Sequence, residues 1–379
     1  MFTSHPTLLI GPSDWDAKVM PKEEFIRRIE GLWRMHPEAP CAIVYGDRCH
    51  NGELVYLTNL VPKLEAAVAL LFPMDEHELY VGGGPNMLDA ARPLTWITGL
   101  KPLRGGQTIG RRAAESRTIL PGVPLLIGGG YMPTALRQDI VDAIGESPLD
   151  ATADVWTLMR GTSAHELVAM YNTCLILAAT LDAIASAQGA GAGVTDAILA
   201  GERAANDRGA QDVRTLFSVN GGRTLTPFTT PIEEAVDSLQ VYVAVRRFNY
   251  WAEGFAMMSE QRRHAAEKAH ELLRLALAAI KPGAAPAEVE KLIASKIKPY
   301  RCHPVTERSF ANRIGLALEE PPHTNAGARF EVGASYSVKV GVTDDAQNHA
   351  IVSAMIAIHD DGIDLLWSGS HKPNKGSKA

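Results

Sequence analysis

The sequence predicts an α/β (α+β) protein in two parts: an α/β domain over residues 1–155, and a domain over residues 156–379 in which two pairs of helices cover a curved antiparallel sheet. Three observations carry this. Residues 239–254, LQVYVAVRRFNYWAEG, alternate Val241, Val243 and Val245 with Tyr242, Ala244 and Arg246, the period of a strand, and Arg246-Arg247-Phe248-Asn249 reads as a turn into a second short strand. The order helix, helix, strands occurs twice in the second half. The composition also changes near Ser147-Pro148-Leu149-Asp150, after which the chain becomes helical and Ala-rich.

The totals narrow the function classes. A chain of 379 residues with 46% apolar content can fill one large core or two domains. Its net charge of -6, with both signs mixed, gives no basic face, so nucleic acid is not an expected partner. No apolar run approaches the ~20 residues that span a bilayer, so no membrane partner is expected. MFTSHPTLLIGPSDWD lacks a basic segment followed by an apolar core, and a cytoplasmic location is expected. Cys41, Cys49, Cys174 and Cys302 fall in no metal-ligand spacing, and neighbours such as Cys302 and His303 point to opposite faces of a strand.

In the first domain, residues 23–35 place Phe25, Ile29, Leu32 and Trp33 on one helical face, and CAIVYG at 41–46 reads as a buried strand. ELVYLTNL, AAVALLF and ELYVGG are expected to add strands at hairpin spacing. Gly82-Gly83-Gly84 and Gly128-Gly129-Gly130 lack the Lys-Ser/Thr or GxGxxG context of a phosphate cradle and read as turns.

In the second domain Ser163 and Glu166 form an S-x-x-E capping box at the start of a long helix. A Gly-rich connector follows, then a second helix opened by Gly193-Val194-Thr195-Asp196. From Phe255 another long helix, EQRRHAAEKAHELLRLALAAI, leads through Pro282-Gly283 to a helix opened by Pro286-Ala287-Glu288. Each unit is followed by strand-rich text: SVNGGRTL and the hairpin after the first, FANRIGLAL, SYSVKVGV, AIVSAMIAI and IDLLW after the second. Two copies imply a pseudo-twofold domain, because the strands alternate and need one face covered.

The hairpin resembles the motif LxPGDxVxxDxGxxYxGYxxDxxRT of the creatinase/aminopeptidase P/methionine aminopeptidase (M24) family, with Asn249-Tyr250-Trp251-Ala252-Glu253 against GYxxD. Thr162-Ser163-Ala164-His165-Glu166 is similar to that family's KSxxE helix entry. The helix with FxxR, the strand and the YLTN segment resemble the N-terminal domain of creatinase. The resemblance implies a pita-bread fold with its site on the concave side of the sheet, and a homodimer.

It also implies where a dinuclear metal site belongs. The two Asp positions hold Tyr242 and Glu253. In GHGIGLxxHExP the ligand His is replaced by Asn312 and the second His by Glu319. In LEPGMxFTxEPG a ligand Glu is replaced by Lys339, and the last ligand Glu falls at Ser353. Divalent ions need clustered carboxylates or imidazoles, which one carboxylate and one ammonium do not supply, so no metal and no other cofactor is expected. Phe228 stands where creatinase carries its His, and a phenyl ring relays no proton.

The expected function is therefore a metal-independent enzyme acting on a small organic substrate, hydrolysing a C–N bond or cleaving by acid/base elimination. Glu253, Lys339 and Tyr242 would do the chemistry, with Asn312, Ser353, Phe228, Glu319, His303 and His323 around the substrate; His303 and His323 flank the strand of Asn312, and either could supply the lost base. His264 and His270 are expected on a solvated helix face, His349 and His359 at strand edges or turns. The alternative is a catalytically silent pita-bread protein that binds a ligand or protein through the same face.

Overall fold

The computed structural model describes residues 14–62, 65–84, 86–222, 224–259, 264–297, 301–302, 310–320, 328–343 and 348–369. The chain divides into two compact units, Met1–Gly161 and Thr162–Ala379.

In the first unit, helix α1 (Lys22–Met35) buries Phe25, Ile29 and Leu32, with Glu23 and Glu24 at its start and Arg34 in its last turn, as the helix dipole favours. The wholly buried strand β1 (Ala42–Gly46) leads to α2 (Gly52–Thr58), then β2 (Ala67–Leu71) and β3 (Glu78–Val81). The expectation of a strand in ELVYLTNL is corrected here. Residues 53–58 are buried all round and do not alternate, and Thr58 Oγ1 donates back to the Leu54 carbonyl. Asn59, at φ +63°, ends the helix. A short apolar run fits a buried helix as well as a strand.

After α3 (Asn86–Ala91), β4 (Gly99–Pro102), α4 (Gly106–Ser116), β5 (Leu125–Ile127), α5 (Thr134–Ile144), β6 (Leu149–Asp150) and α6 (Thr152–Leu158), the sheet order is β4-β3-β2-β1-β5-β6. Gly128 follows β5 at φ +73°, where a Cβ would meet the Tyr45 carbonyl oxygen at 2.7 Å, so the glycine serves the tight turn.

In the second unit, Ser163 Oγ accepts from the Glu166 N–H (3.2 Å) while Glu166 Oε2 accepts from the Ser163 N–H (2.8 Å), the complete capping box. It opens α7 (Ala164–Gly189), which is long and apolar enough to cross a membrane by length and composition, contrary to the expectation that no run reaches that length. Its buried side chains, Met170, Cys174, Leu177, Leu181 and Ile184 among them, lie on the sheet, while Val168, Tyr171 and Leu175 add apolar residues to its outer face. Both faces being apolar is what raises its hydropathy.

Helix α8 (Val194–Asp207) packs on α7, and β7 (Asp212–Val219), β8 (Ser238–Arg247) and β9 (Tyr250–Ser259) form an antiparallel sheet in that order. The hairpin pairs Arg247 with Tyr250, leaving Phe248 (φ +51°) and Asn249 (φ +68°) as a two-residue loop of left-handed residues. That backbone twist suits adjoining strands. β9 runs on to Ser259, so the chain from Phe255 to Ser259 is strand and not the expected helix; of the described residues, that helix is α9 (His264–Ala279).

Helix α9 and α10 (Pro286–Ser295) cover the second sheet, which comprises β10 (Arg301–Cys302), β11 (Ala311–Arg313), β12 (Ser335–Thr343), β13 (His349–His359) and β14 (Gly362–Ser368). On α9, His264 is exposed but His270 is half-buried, and burial lowers its pKa, which corrects the expected solvated face. The two sheets meet along β9 and β13. There the Gln240 side chain donates to the Ile351 carbonyl (2.9 Å) and accepts from the Ile351 N–H (2.8 Å), the two bonds a backbone amide makes in an antiparallel ladder. This is a helix-covered antiparallel α/β architecture with a repeated helix-pair-and-sheet unit.

Candidate functional site

Register places the site. Tyr242 pairs with Phe255 and Ala244 with Glu253, so Tyr242 and Glu253 share one face of the hairpin. The opposite face, that of Gly254, lies against Leu177 of α7: a Cβ on Gly254 would approach that side chain to 3.2 Å. Across the seam, Asn312 pairs with Ser337 and Lys339 with Ser353, which puts Asn312, Lys339 and Ser353 on a common face.

Four side chains converge there. Tyr242 O–H donates to Glu253 Oε2 (2.8 Å), Lys339 Nζ lies 3.0 Å from Glu253 Oε1, and Lys339 Nζ also donates to Asn312 Oδ1. Asn312 Nδ2 in turn donates to the Leu318 carbonyl (2.8 Å). The Glu253 side chain is 0% exposed and that of Lys339 4%. A lone carboxylate so deeply buried is prohibitively unstable; here Tyr242 donates to one oxygen and the ammonium beside the other balances the charge.

Ser353 lies in the same sheet but serves differently: its Oγ accepts from the Phe255 N–H (2.8 Å), tying β13 to β9. Glu319 is half-buried in the segment whose Leu318 carbonyl holds Asn312. Phe228 stands apart. Its ring packs on Phe217 (centroids 4.9 Å apart), and Phe217 pairs with Val241, which alternates with Tyr242 and so belongs to the other face of the sheet. His303 and His323 lie outside the described residues. His349 is buried beside Thr343 and His359 pairs with Asp364, both at the ends of β13.

Further residues on this face are not among the candidates the sequence singles out. Arg246 faces Trp251 across the hairpin, and Arg214 of β7 lies over the same indole. Alternation of 242, 244 and 246 was the signal that aligned Arg246 with Tyr242. Behind the sheet, Arg313, Glu320, Glu166 and Tyr250 form a buried polar group: Tyr250 O–H donates to Glu166 Oε1 (2.9 Å), and Arg313 Nη2 lies 3.7 Å from Glu320 Oε2.

The chain as a whole is similar to solved X-Pro peptidases. It superposes on Escherichia coli aminopeptidase P with zinc and product at a TM-score of 0.71 and 14% identity, covering 91% of this chain and 94% of that one. For the X-Pro aminopeptidase of Thermotoga maritima the values are 0.68 and 13%, over 88% and 97% of the two chains. For the prolidase of Pyrococcus horikoshii they are 0.68 and 13%, over 91% and 98%. No protein-family profile matches the sequence, and no curated protein sequence does. The fold is thus the creatinase/aminopeptidase P-like, pita-bread fold of M24 proteins. Within that fold this chain is a divergent form, 13–14% identical to these three structures.

Tyr242, Glu253, Asn312, Lys339 and Ser353 do not fit a pair of divalent ions. The set offers one carboxylate, and an ammonium already lies 3.0 Å from it, where a cation would meet direct repulsion. Among the described residues no group of three or more His, Cys, Asp or Glu is arranged to hold a metal ion.

Proposed function

We propose that this chain is a metal-independent pita-bread protein that binds a small organic ligand on its concave face and does not hydrolyse peptides. The observation that carries the reading is the Lys339 ammonium against Glu253, a fixed positive charge at a position where the family pattern has a metal ligand. The cluster is also crowded: one oxygen of Glu253 accepts from Tyr242, the Lys339 ammonium lies 3.0 Å from the other, and the amide oxygen of Asn312 accepts from Lys339. A metallopeptidase must hold metal ions and an activated water where this arrangement puts an ammonium, so it does not favour that chemistry.

The test is elemental analysis of protein produced with Mn and Zn supplements, together with an assay on X-Pro peptides. Substoichiometric metal and no hydrolysis are expected. Two tightly held ions per chain, or metal-dependent cleavage, overturn the reading.

One observation favours enzymatic chemistry instead. Tyr242 O–H lies 2.8 Å from a carboxylate that also contacts an ammonium, so a ligand displacing Asn312 from Lys339 would meet a cation beside a phenol and a proton acceptor. Such a site suits metal-free hydrolysis of a C–N bond or an acid/base elimination. Turnover of a small substrate that is abolished by Glu253→Gln and by Lys339→Met in folded protein would establish it. Cytoplasmic residence and homodimerisation belong to the same proposal; light scattering of the purified chain tests the second.

A further inference from the structure

The hairpin carries a charged group that the Tyr242–Glu253–Lys339 cluster does not use. Arg246 lies directly across from Trp251 on β9 and from Asp212 on β7. Its guanidinium carbon is 5.6 Å from the centre of the Trp251 ring, and that of Arg214 is 4.6 Å from the same ring. Arg246 Nε donates to the Asn249 carbonyl (3.1 Å), whereas its Nη2 is shut off from solvent and meets no hydrogen-bond acceptor. An unmatched charged donor inside a protein is costly. Asp212 does not satisfy it: that carboxylate is engaged by Arg214 Nη2 at 3.3 Å.

Two guanidiniums against one carboxylate leave this group with one positive charge in excess. Burial pushes the Arg246 pKa down to about 10, and Asp212 works against that fall, so the guanidinium is still charged at neutral pH. The pair Arg246–Trp251 is the next same-face pair along the hairpin from Ala244–Glu253, about 7 Å away by strand rise. The Arg246 guanidinium and the Lys339–Glu253 pair therefore share one face of the sheet, a single same-face step apart.

We propose that the concave face carries a carboxylate-binding subsite in which Arg246 anchors the anion through Nη2, with Trp251 as its wall and Arg214 as a second positive charge. The ligand class is a small organic acid. A guanidinium whose Nη2 has no acceptor calls for an anionic oxygen there, and one net positive charge matches a monoanion. This rests on the reading that the concave face binds a ligand, and it specifies what that ligand presents.

The experiment is calorimetric titration of the full chain with benzoate, acetate and inorganic phosphate, at ionic strength held constant with chloride. Wild type is expected to bind benzoate saturably and more tightly than phosphate. Arg246→Gln is expected to weaken benzoate at least tenfold, with the circular dichroism spectrum unchanged. Arg246→Lys, which keeps the charge and loses the fork, falls between the two and serves if the glutamine variant does not fold. No saturable carboxylate binding by wild type, a preference for phosphate, or equal affinities in wild type and the Arg246 variants each overturn the subsite. The outcomes are separable from those of the preceding proposal. Metal-free, inactive protein that ignores benzoate sinks the subsite alone, and metal-loaded protein that binds benzoate through Arg246 sinks the metal-free reading alone.

Discussion

Lys339 Nζ lies 3.0 Å from Glu253 Oε1 across the seam between two sheets, and neither side chain is open to water. Because the two residues come from different halves of the duplicated unit, their attraction also joins those halves. Removing one partner strands a buried charge. Lys339→Met is expected to cost about 3–5 kcal/mol, and the double variant Lys339→Met/Glu253→Gln less than the sum of its parts. Urea unfolding of the four proteins of this cycle measures the coupling; strictly additive losses would show that the contact contributes nothing.

Replacing the five side chains by the family's ligands should restore cation binding if the scaffold positions them. A variant carrying Tyr242→Asp, Glu253→Asp, Asn312→His, Lys339→Glu and Ser353→Glu is expected to bind Mn in equilibrium dialysis, where wild type does not. Failure of a folded variant to bind would mean that the strands no longer aim these positions at a common point.

Glu320 gives a pH dependence with a definite sign. Burial is the main cause that raises its pKa to about 7, with Glu166 adding to the rise; Arg313 and the N–H groups of Leu316 and Ala317 oppose it. Between the ordinary value near 4.5 and about 7 the native state holds a proton that the unfolded chain has released, so stability falls as pH rises through that window. The expected decline is roughly 3 kcal/mol by pH 8 relative to pH 4.5. Glu320→Gln should flatten it. Unfolding midpoints from pH 5 to 8 that do not change in wild type would contradict the assignment.

Phe248 holds a left-handed backbone at φ +51° with a bulky side chain. Its ring is covered by Arg247, and the next N–H, of Asn249, donates to Gln211 Oε1 (2.8 Å). Phe248→Asn substitutes a residue suited to that conformation and should raise stability by about 1 kcal/mol, read as a higher thermal midpoint. A lower midpoint would mean that the Arg247 contact outweighs the strain.

Much of this architecture was legible in the chain. The hairpin showed itself because Val241, Val243 and Val245 alternate, and the first long helix because Ser163 and Glu166 cap it. The five site positions became visible only through family motifs, since no local pattern links Glu253 to Lys339, 86 residues away; register and the sheet seam bring them together. What stayed hidden depends on burial or on chain geometry. ELVYLTNL is apolar on every side and so carries no period, and β7 was seen only by its end. Arg246 reads as part of a turn until the loop is fixed at Phe248 and Asn249, one step later.

The amide of Gln240 extends the strand ladder across the seam between the two sheets, holding Ala256 on one side and Ile351 on the other. Alignment of the two half-sheets is thereby written into neutral main-chain bonding. Substitution of the charged side chains on the same face therefore leaves this tie between the sheets in place.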